Sequence, residues 1–293
     1  MAQKGSLGSG LPAYRALAGR AARSFVRHDM AVYSMALAYR GLFALLPFAL
    51  LLVAALSFLR VDALLVWLAE QGPPGLRGPL PELIGSLEEG VLGETEGGLL
   101  AVGVALAFWS VSAGARVLTR ALNAAFEIEE TRPAWKRTVS SLTLAPALAL
   151  AVILAVALML VTSRAAAWVS WQVGLDAAFV FLWGLLRFPV ALLLVALVVG
   201  AVYRFAPDVD LPPRSVVPGS LLAVALWALA SLAFALGLRL LPDYGAVYGG
   251  LGTAISLLLY LYVSATALML GAEVNAATLR GPSEDAEPTK PRL

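Results

Sequence analysis

Cysteine is absent from all 293 residues, histidine occurs once, at His28, and lysine only at Lys4, Lys136 and Lys290. Without thiols there is no disulfide, no thiolate metal site and no Cys nucleophile, and the redox compartment stays unread. A single histidine builds neither a His-based metal site nor a Ser-His triad. Neither G-x-G-x-x-G nor G-x-x-x-x-G-K-[ST] occurs, so no glycine loop cradles a nucleotide phosphate. Charge is scarce as well: 14% of residues are ionised, against about 25% in an average soluble domain. The net charge of +2 is too small to imply a nucleic-acid partner.

What the chain has in excess is apolar length. Hydrophobic residues make up 60% and the mean hydropathy is +0.83. A soluble globule this apolar could not cover its surface with polar side chains, whereas a surface facing lipid does not need them. Six apolar runs reach the roughly 20 residues needed to cross a bilayer as a helix: Met30 to Leu59, Gly98 to Leu118, Val139 to Val161, Leu175 to Tyr203, Val216 to Leu240 and Leu251 to Val274. The expected fold is all-α: a polytopic membrane protein with six transmembrane helices. Residues 1–29 form a cytoplasmic basic segment, 30–278 the membrane domain with an outer helical loop at 60–97, and 279–293 a disordered tail.

Orientation follows from the basic residues. Segments 1–29, 119–138, 204–215 and the tail after Val274 carry 14 Lys and Arg, and the alternate segments carry 4 once Arg239 is included. The richer side is cytoplasmic, which puts both termini inside. Before the first span, apolar Tyr14, Leu17, Ala18, Ala21 and Phe25 alternate with Arg15, Arg20, Arg23 and Arg27. They form either an amphipathic helix on the anionic leaflet or a plain topogenic flank. The outer loop is acidic, and its two helical stretches around GPPGLRGP act as a lid or as interfacial packing. Glu127, Glu129 and Glu130 read as a solvated helix surface rather than as metal ligands. Small residues at helical spacing, Ser110 with Gly114 and the Gly245 to Gly252 cluster, suit close helix packing.

Ionisable residues inside spans are expensive and mark function by default. Arg187 lies about 12 residues into the fourth span, roughly 18 Å down at 1.5 Å per residue. Arg40 is inside the first span, and Arg116 and Glu273 stand near the cytoplasmic ends of the second and sixth. Three positive charges against one negative allow an electropositive cavity for an anionic group such as a lipid phosphate, which a guanidinium fork matches. The alternative is that one Arg pairs with Glu273 while the others snorkel or bind carbonyls freed near Pro47 or Pro189.

Four blocks along the chain resemble the YihY/BrkB family of bacterial inner-membrane proteins: ALAYRGLFALLP (Ala36 to Pro47), FWSVSAGARVLTRALNAAFE (Phe108 to Glu127), YRFAP with VVPGSLLAVALWALAS (Tyr203 to Ser231), and YGAVYGGLGTAISLLLYLYVSATALMLGAEVNA (Tyr244 to Ala276). Arg40 stands where the family has an aromatic residue, and Gly219-Ser220 replaces Gly-Ala. The resemblance implies a six-helix protein of the bacterial inner membrane and cell envelope. It also directs attention to Tyr203 beside the arginines as a ligand residue, and to Asn123 and Asn275 beside Glu273 as gating or charge partners. The family's older ribonuclease BN label finds no metal-ligand set here. Two functions stand open: a transporter or flippase-like protein for an anionic lipid or envelope precursor, and a non-catalytic envelope scaffold. Both predict no catalytic residue, metal or cofactor, with membrane lipids as partners, no nucleic acid, and room for a homo-oligomer.

Overall fold

A computed structural model describes residues 11–58, 98–133, 177–209, 211–240 and 244–284. Among them are six helices and no strand: α1 (Leu11–Arg27), α2 (Met30–Phe58), α3 (Gly98–Phe126), α4 (Ala177–Phe205), α5 (Pro213–Leu240) and α6 (Tyr244–Glu284). Five of the six expected spans fall on α2 to α6. The span at 139–161, the outer loop at 60–97 and residues 285–293 lie outside the described residues. Helix α6 continues to Glu284, past the point at 279 where the sequence reading starts the tail.

The helix boundaries follow local chemistry. Pro213 opens α5, where a missing N–H costs nothing, and Ser215 closes the first turn by donating to the Pro212 carbonyl from both N (3.0 Å) and Oγ (2.8 Å). Helix α3 ends in a Schellman turn: Glu127 N–H donates to the Ala124 carbonyl (3.2 Å) and Ile128 N–H to that of Asn123 (2.8 Å). Glu127 takes the left-handed conformation this requires, with φ 57°, although it is not a glycine. Asp29, at φ 52°, breaks the chain between α1 and α2 in the same way, and its carbonyl then accepts from Val32 (2.9 Å).

Three helical segments, Phe181–Phe205, Pro213–Gly237 and Ala254–Arg280, are long and apolar enough to cross a membrane. Their exposed residues are large and apolar, among them Phe181, Leu197, Leu229, Leu232 and Leu259. An outward face of this kind is stable against acyl chains, not against water.

The chain divides into two compact units, one of Met1–Ala38 with Arg116–Leu293 and one of Tyr39–Ala115. In the first, α6 packs on α5, α5 on α4, and α1 on α6. Its core gathers Met30, Ala121, Leu122, Val202, Tyr203, Val216, Met269 and Ala272. The buried stripe of α1 runs through Ala21 and Ser24, while Ala18 faces outward, so the basic helix spends its inner face on α6. In the second unit, Tyr39 and Phe43 pack with ring centroids 4.6 Å apart.

Among the described glycines, the closest approach to a neighbouring helix is between α5 and α6. A Cβ on Gly219 would sit 2.0 Å from the Gly271 carbonyl oxygen, and one on Gly271 would sit 2.4 Å from that of Gly219. In lipid, helices associate through close backbone packing and hydrogen bonds rather than through apolar burial, and this pair supplies both. Gly114 does not act this way: a Cβ there meets nothing within 4 Å among the described residues.

Candidate functional site

A group of polar side chains of the first unit meets at one end of its helices. Asn275 is fully buried on α6. Its Oδ1 accepts from Gly219 N–H (2.7 Å) and its Nδ2 donates to the Val216 carbonyl (3.1 Å). Both partners flank Pro218, where the proline ring disturbs the ladder of α5. Tyr203, also fully buried, donates its hydroxyl to the Leu268 carbonyl of α6. Asn123 links two loops, donating to Glu130 Oε2 (2.8 Å) and accepting from Asp208 N–H (3.0 Å). Asp208 in turn accepts from Thr131 N–H (2.8 Å) and Oγ1 (2.7 Å) and pairs with Arg132 Nε at 2.6 Å. The hydrogen bonds from Thr131, then the Arg132 charge, hold the Asp208 carboxyl below its ordinary value against the opposing effect of burial.

Two residues before Asn275 on the same helix, Glu273 is 0% exposed. Its Oε1 lies 2.7 Å from Nδ1 of His28, a side chain only 11% exposed. Its Oε2 has no hydrogen-bond partner, and the nearest cation, Arg280 Nη2, stands 3.8 Å away. The other face of the imidazole, Nε2, is 3.2 Å from Oε1 of Glu127, which is 49% exposed. Arg27 Nη2 (2.7 Å) and Arg280 Nη1 also donate to that oxygen. Burial pushes the Glu127 carboxyl up, but Arg280, Arg27 and His28 together outweigh it and leave it below its ordinary value. The result is a chain of titratable groups from a buried carboxylate, through the one imidazole, to a surface carboxylate.

The sequence reading of a solvated surface holds for Glu127, which is 49% exposed, and is corrected for Glu130, which is half-buried and accepts from Asn123. The left-handed turn at Glu127 ends α3 and folds the linker back, so both glutamates find partners. His28, Glu127 and Arg280 were not among the expected site residues. The signal available was that Glu273 is the only acid among the four ionisable residues singled out within the spans and that the only histidine stands directly before the first span.

Of the expected residues, Tyr203, Glu273, Asn275 and Asn123 gather at this end. Arg187 does not join them. It sits ten residues into α4, just before Pro189; its Nε is buried without a hydrogen-bond partner and its guanidinium lies 4.7 Å from the Phe188 ring centroid. Arg116 is half-buried on α3. Arg40 is exposed and belongs to the other unit.

Between the levels of Arg187 and Tyr203 lies a partly open cavity of about 320 Å³. Its walls are apolar, with Ala38, Leu118, Val195, Val199, Trp227 and Ala265 from α2 to α6, and Ser264 contributes its one hydroxyl. That volume is at the lower end of the range for small-molecule pockets. Neither Arg187 nor Arg116 lines it.

A family model described as virulence factor BrkB matches residues 21–292. A Bacillus subtilis protein named ribonuclease-like protein YfkH is 29% identical over 254 residues, covering 86% of this chain and 91% of the relative. Over shorter stretches, proteins named UPF0761 membrane protein are similar: one of Pseudoalteromonas translucida at 32% over 74 residues, a quarter of each chain, and one of Yersinia pestis at 36% over 72 residues, 25% of this chain and 24% of the relative. No solved structure matches the chain.

Proposed function

The chain belongs to the family described as virulence factor BrkB, a membrane-protein family, and from that premise we propose that it moves an anionic lipid or envelope precursor between leaflets of the bacterial inner membrane. In this reading six helices span the bilayer and both termini are cytoplasmic, as the basic-residue asymmetry requires. No nucleotide-binding loop occurs in the sequence, so the movement draws on a source other than an ATPase in this chain.

The observation that carries the reading is the apolar cavity set between two polar stations. Along α4, Arg187 precedes cavity-lining Val195 by eight residues, about 12 Å of helix, and Val199 is followed one turn later by Tyr203 of the polar end. An amphiphile has an apolar body and an anionic head. The cavity accommodates the first, and the half-buried Arg187, whose buried Nε has no hydrogen-bond partner, offers the second a charge-assisted hydrogen bond. Prolines inside α4 and α5, Pro189 and Pro218, supply kinks that let such a cavity change shape.

A catalytic reading is less well supported. Glu127 and Asp208, acids that a metal-dependent nuclease would need free, are paired with arginines. The word ribonuclease in the relative's name therefore stays with that relative.

The test is transfer of a labelled anionic phospholipid between leaflets of vesicles holding the purified protein, with a zwitterionic lipid as comparison. Wild type is expected to move the anionic lipid faster than protein-free vesicles do, and Arg187→Ala to lose at least tenfold of that rate. Equal rates for the two proteins remove Arg187 from the path. Equal rates for protein-containing and protein-free vesicles reject transport.

A further inference from the structure

Helix α1 is the element of the first unit that the transport reading does not use. It meets α6 where the apolar segment Ala254–Arg280 ends: His28, just past α1, contacts Glu273, and Arg27 and Arg280 share Oε1 of Glu127. A helix docked at the end of a span lies where acyl chains give way to headgroups. From Arg15 to Arg27 it runs about 18 Å, at about 1.5 Å per residue.

Residues four apart stack in rows along a helix, and α1 sorts its side chains by row. Ala21 and Ser24, with half-buried Leu17 and His28, make the inner side. On the outer side two rows lie next to each other. One is apolar: Ala18, Ala22 and Val26, the last of them 75% exposed. The other is Arg15, Gly19, Arg23 and Arg27, all exposed. Arg27 is spent on Glu127. Among the described residues Arg23 donates only to the Gly19 carbonyl of its own helix (3.2 Å), and Arg15 has no ion pair. The outward apolar row is not the set that sequence spacing picks out, because Leu17, Ala21 and Phe25 turn toward the protein.

Charge at this end is unbalanced in the same sense. Arg15, Arg23, Arg120 and Arg214 are exposed and without an ion pair among the described residues, against the acids Asp29 and Glu129. Arg120 stands one turn before Asn123 and Arg214 two residues before Val216, so both lie beside the polar cluster. The paired acids do not redress the balance: Glu127 already takes Arg27 and Arg280, and Asp208 takes Arg132.

We propose that α1 is a lipid-surface helix: its Ala18, Ala22 and Val26 row rests against acyl chains beside α6, and Arg15 and Arg23 bind the phosphates of anionic phospholipids in the leaflet at this end. The two rows match that ligand on both counts. A guanidinium donates paired hydrogen bonds to phosphate oxygens, and an interfacial helix keeps its apolar row at the acyl boundary and its basic residues among the headgroups. An acidic peptide would answer the arginines but leave Val26 without apolar cover. The site is separate from the cavity and does not require lipid to cross the bilayer.

The chain has no cysteine, so Val26→Cys carries a single polarity-sensitive fluorophore on the full-length protein, held in nanodiscs of phosphatidylcholine with increasing phosphatidylglycerol. As phosphatidylglycerol rises, the emission is expected to move to shorter wavelength and to be quenched by spin-labelled acyl chains; salt reverses both, since exposed charges are screened. Adding Arg15→Gln and Arg23→Gln is expected to weaken the response about fivefold per arginine, the equivalent of about 1 kcal/mol each, while Arg15→Lys with Arg23→Lys keeps most of it. Should the Gln pair fail to fold, the salt dependence of the parent carries the charge test alone. A label shielded equally in pure phosphatidylcholine, or a response indifferent to salt and to both arginines, overturns the anionic site. A label shielded from water but out of reach of the spin-labelled chains assigns the face to protein, such as an acidic segment, and overturns the lipid surface. A label that stays in water in every mixture does the same.

Discussion

Gly219→Ala places one methyl group where the described glycines are most tightly packed. The new Cβ would lie 2.0 Å from the Gly271 carbonyl oxygen and 2.5 Å from both Cγ and Oδ1 of Asn275, where ordinary contact begins at 3.4 Å. The first obstacle is backbone, so the helices must separate by about 1.4 Å at this level. That separation stretches the Gly219 to Asn275 bond from 2.7 Å and the Asn275 to Val216 bond from 3.1 Å beyond useful range. Overpacking costs about 1–3 kcal/mol, and leaving a buried amide unsatisfied about as much again, so the expected loss is about 2–6 kcal/mol. At about 2–4 °C per kcal/mol the melting temperature in mild detergent falls by about 4–24 °C. Gly237→Ala is the matched control, since its Cβ meets nothing within 4 Å; a helix-interior glycine replaced there gains about 0.5–1 kcal/mol. A Gly219→Ala protein that melts within 2 °C of wild type, or a Gly237→Ala protein equally damaged, refutes the packing argument.

Because the Glu127 carboxyl is held below its ordinary 4.5, its contribution is full above that value and is lost as pH falls through the depressed one. Melting temperature should therefore drop below about pH 4.5 more steeply in wild type than in Glu127→Gln, with the two curves parallel from pH 6 to 8. Thr131→Val removes the 2.7 Å hydroxyl bond to Asp208; it should cost about 1 kcal/mol and let the Asp208 carboxyl titrate closer to 3.8, read by melting and by carboxylate NMR. The chain has no cysteine, so single introduced thiols report topology cleanly. Lys136→Cys should react only from the cytoplasmic side and Arg77→Cys only from the outer side, and the reverse pattern would overturn the orientation.

The membrane character and the helical class were legible because both depend on local composition. A run of 20 apolar residues is its own signal, and five such runs fall on α2 to α6, with α3 and α6 extending well past the apolar run. The α5–α6 contact was half legible: Gly219 stood out as a position in a family-like segment, but nothing in the spacing paired it with Gly271, 52 residues on. The ion chain was not legible. His28 meets Glu127 and Glu273 across 99 and 245 residues, and Arg280 meets Glu127 across 153; what unites them is a left-handed turn at a glutamate, a position where glycine is the usual residue. Counting charges inside the spans singled out Glu273 and pointed toward arginine partners within the membrane. The structure gives it the histidine just outside instead. Arg187 lies on the far side of the cavity from that cluster because helical register, which counting does not supply, decides which side chains share a level.

The decisive measurement is leaflet-to-leaflet exchange of the labelled anionic phospholipid for wild type and Ala265→Phe, a substitution that fills the cavity from α6 without touching an ionised group. If the cavity is the path, the variant folds, melts within about 3 kcal/mol of wild type, and exchanges lipid at least tenfold more slowly. Undiminished exchange by a folded Ala265→Phe protein would show that lipid does not pass between these helices.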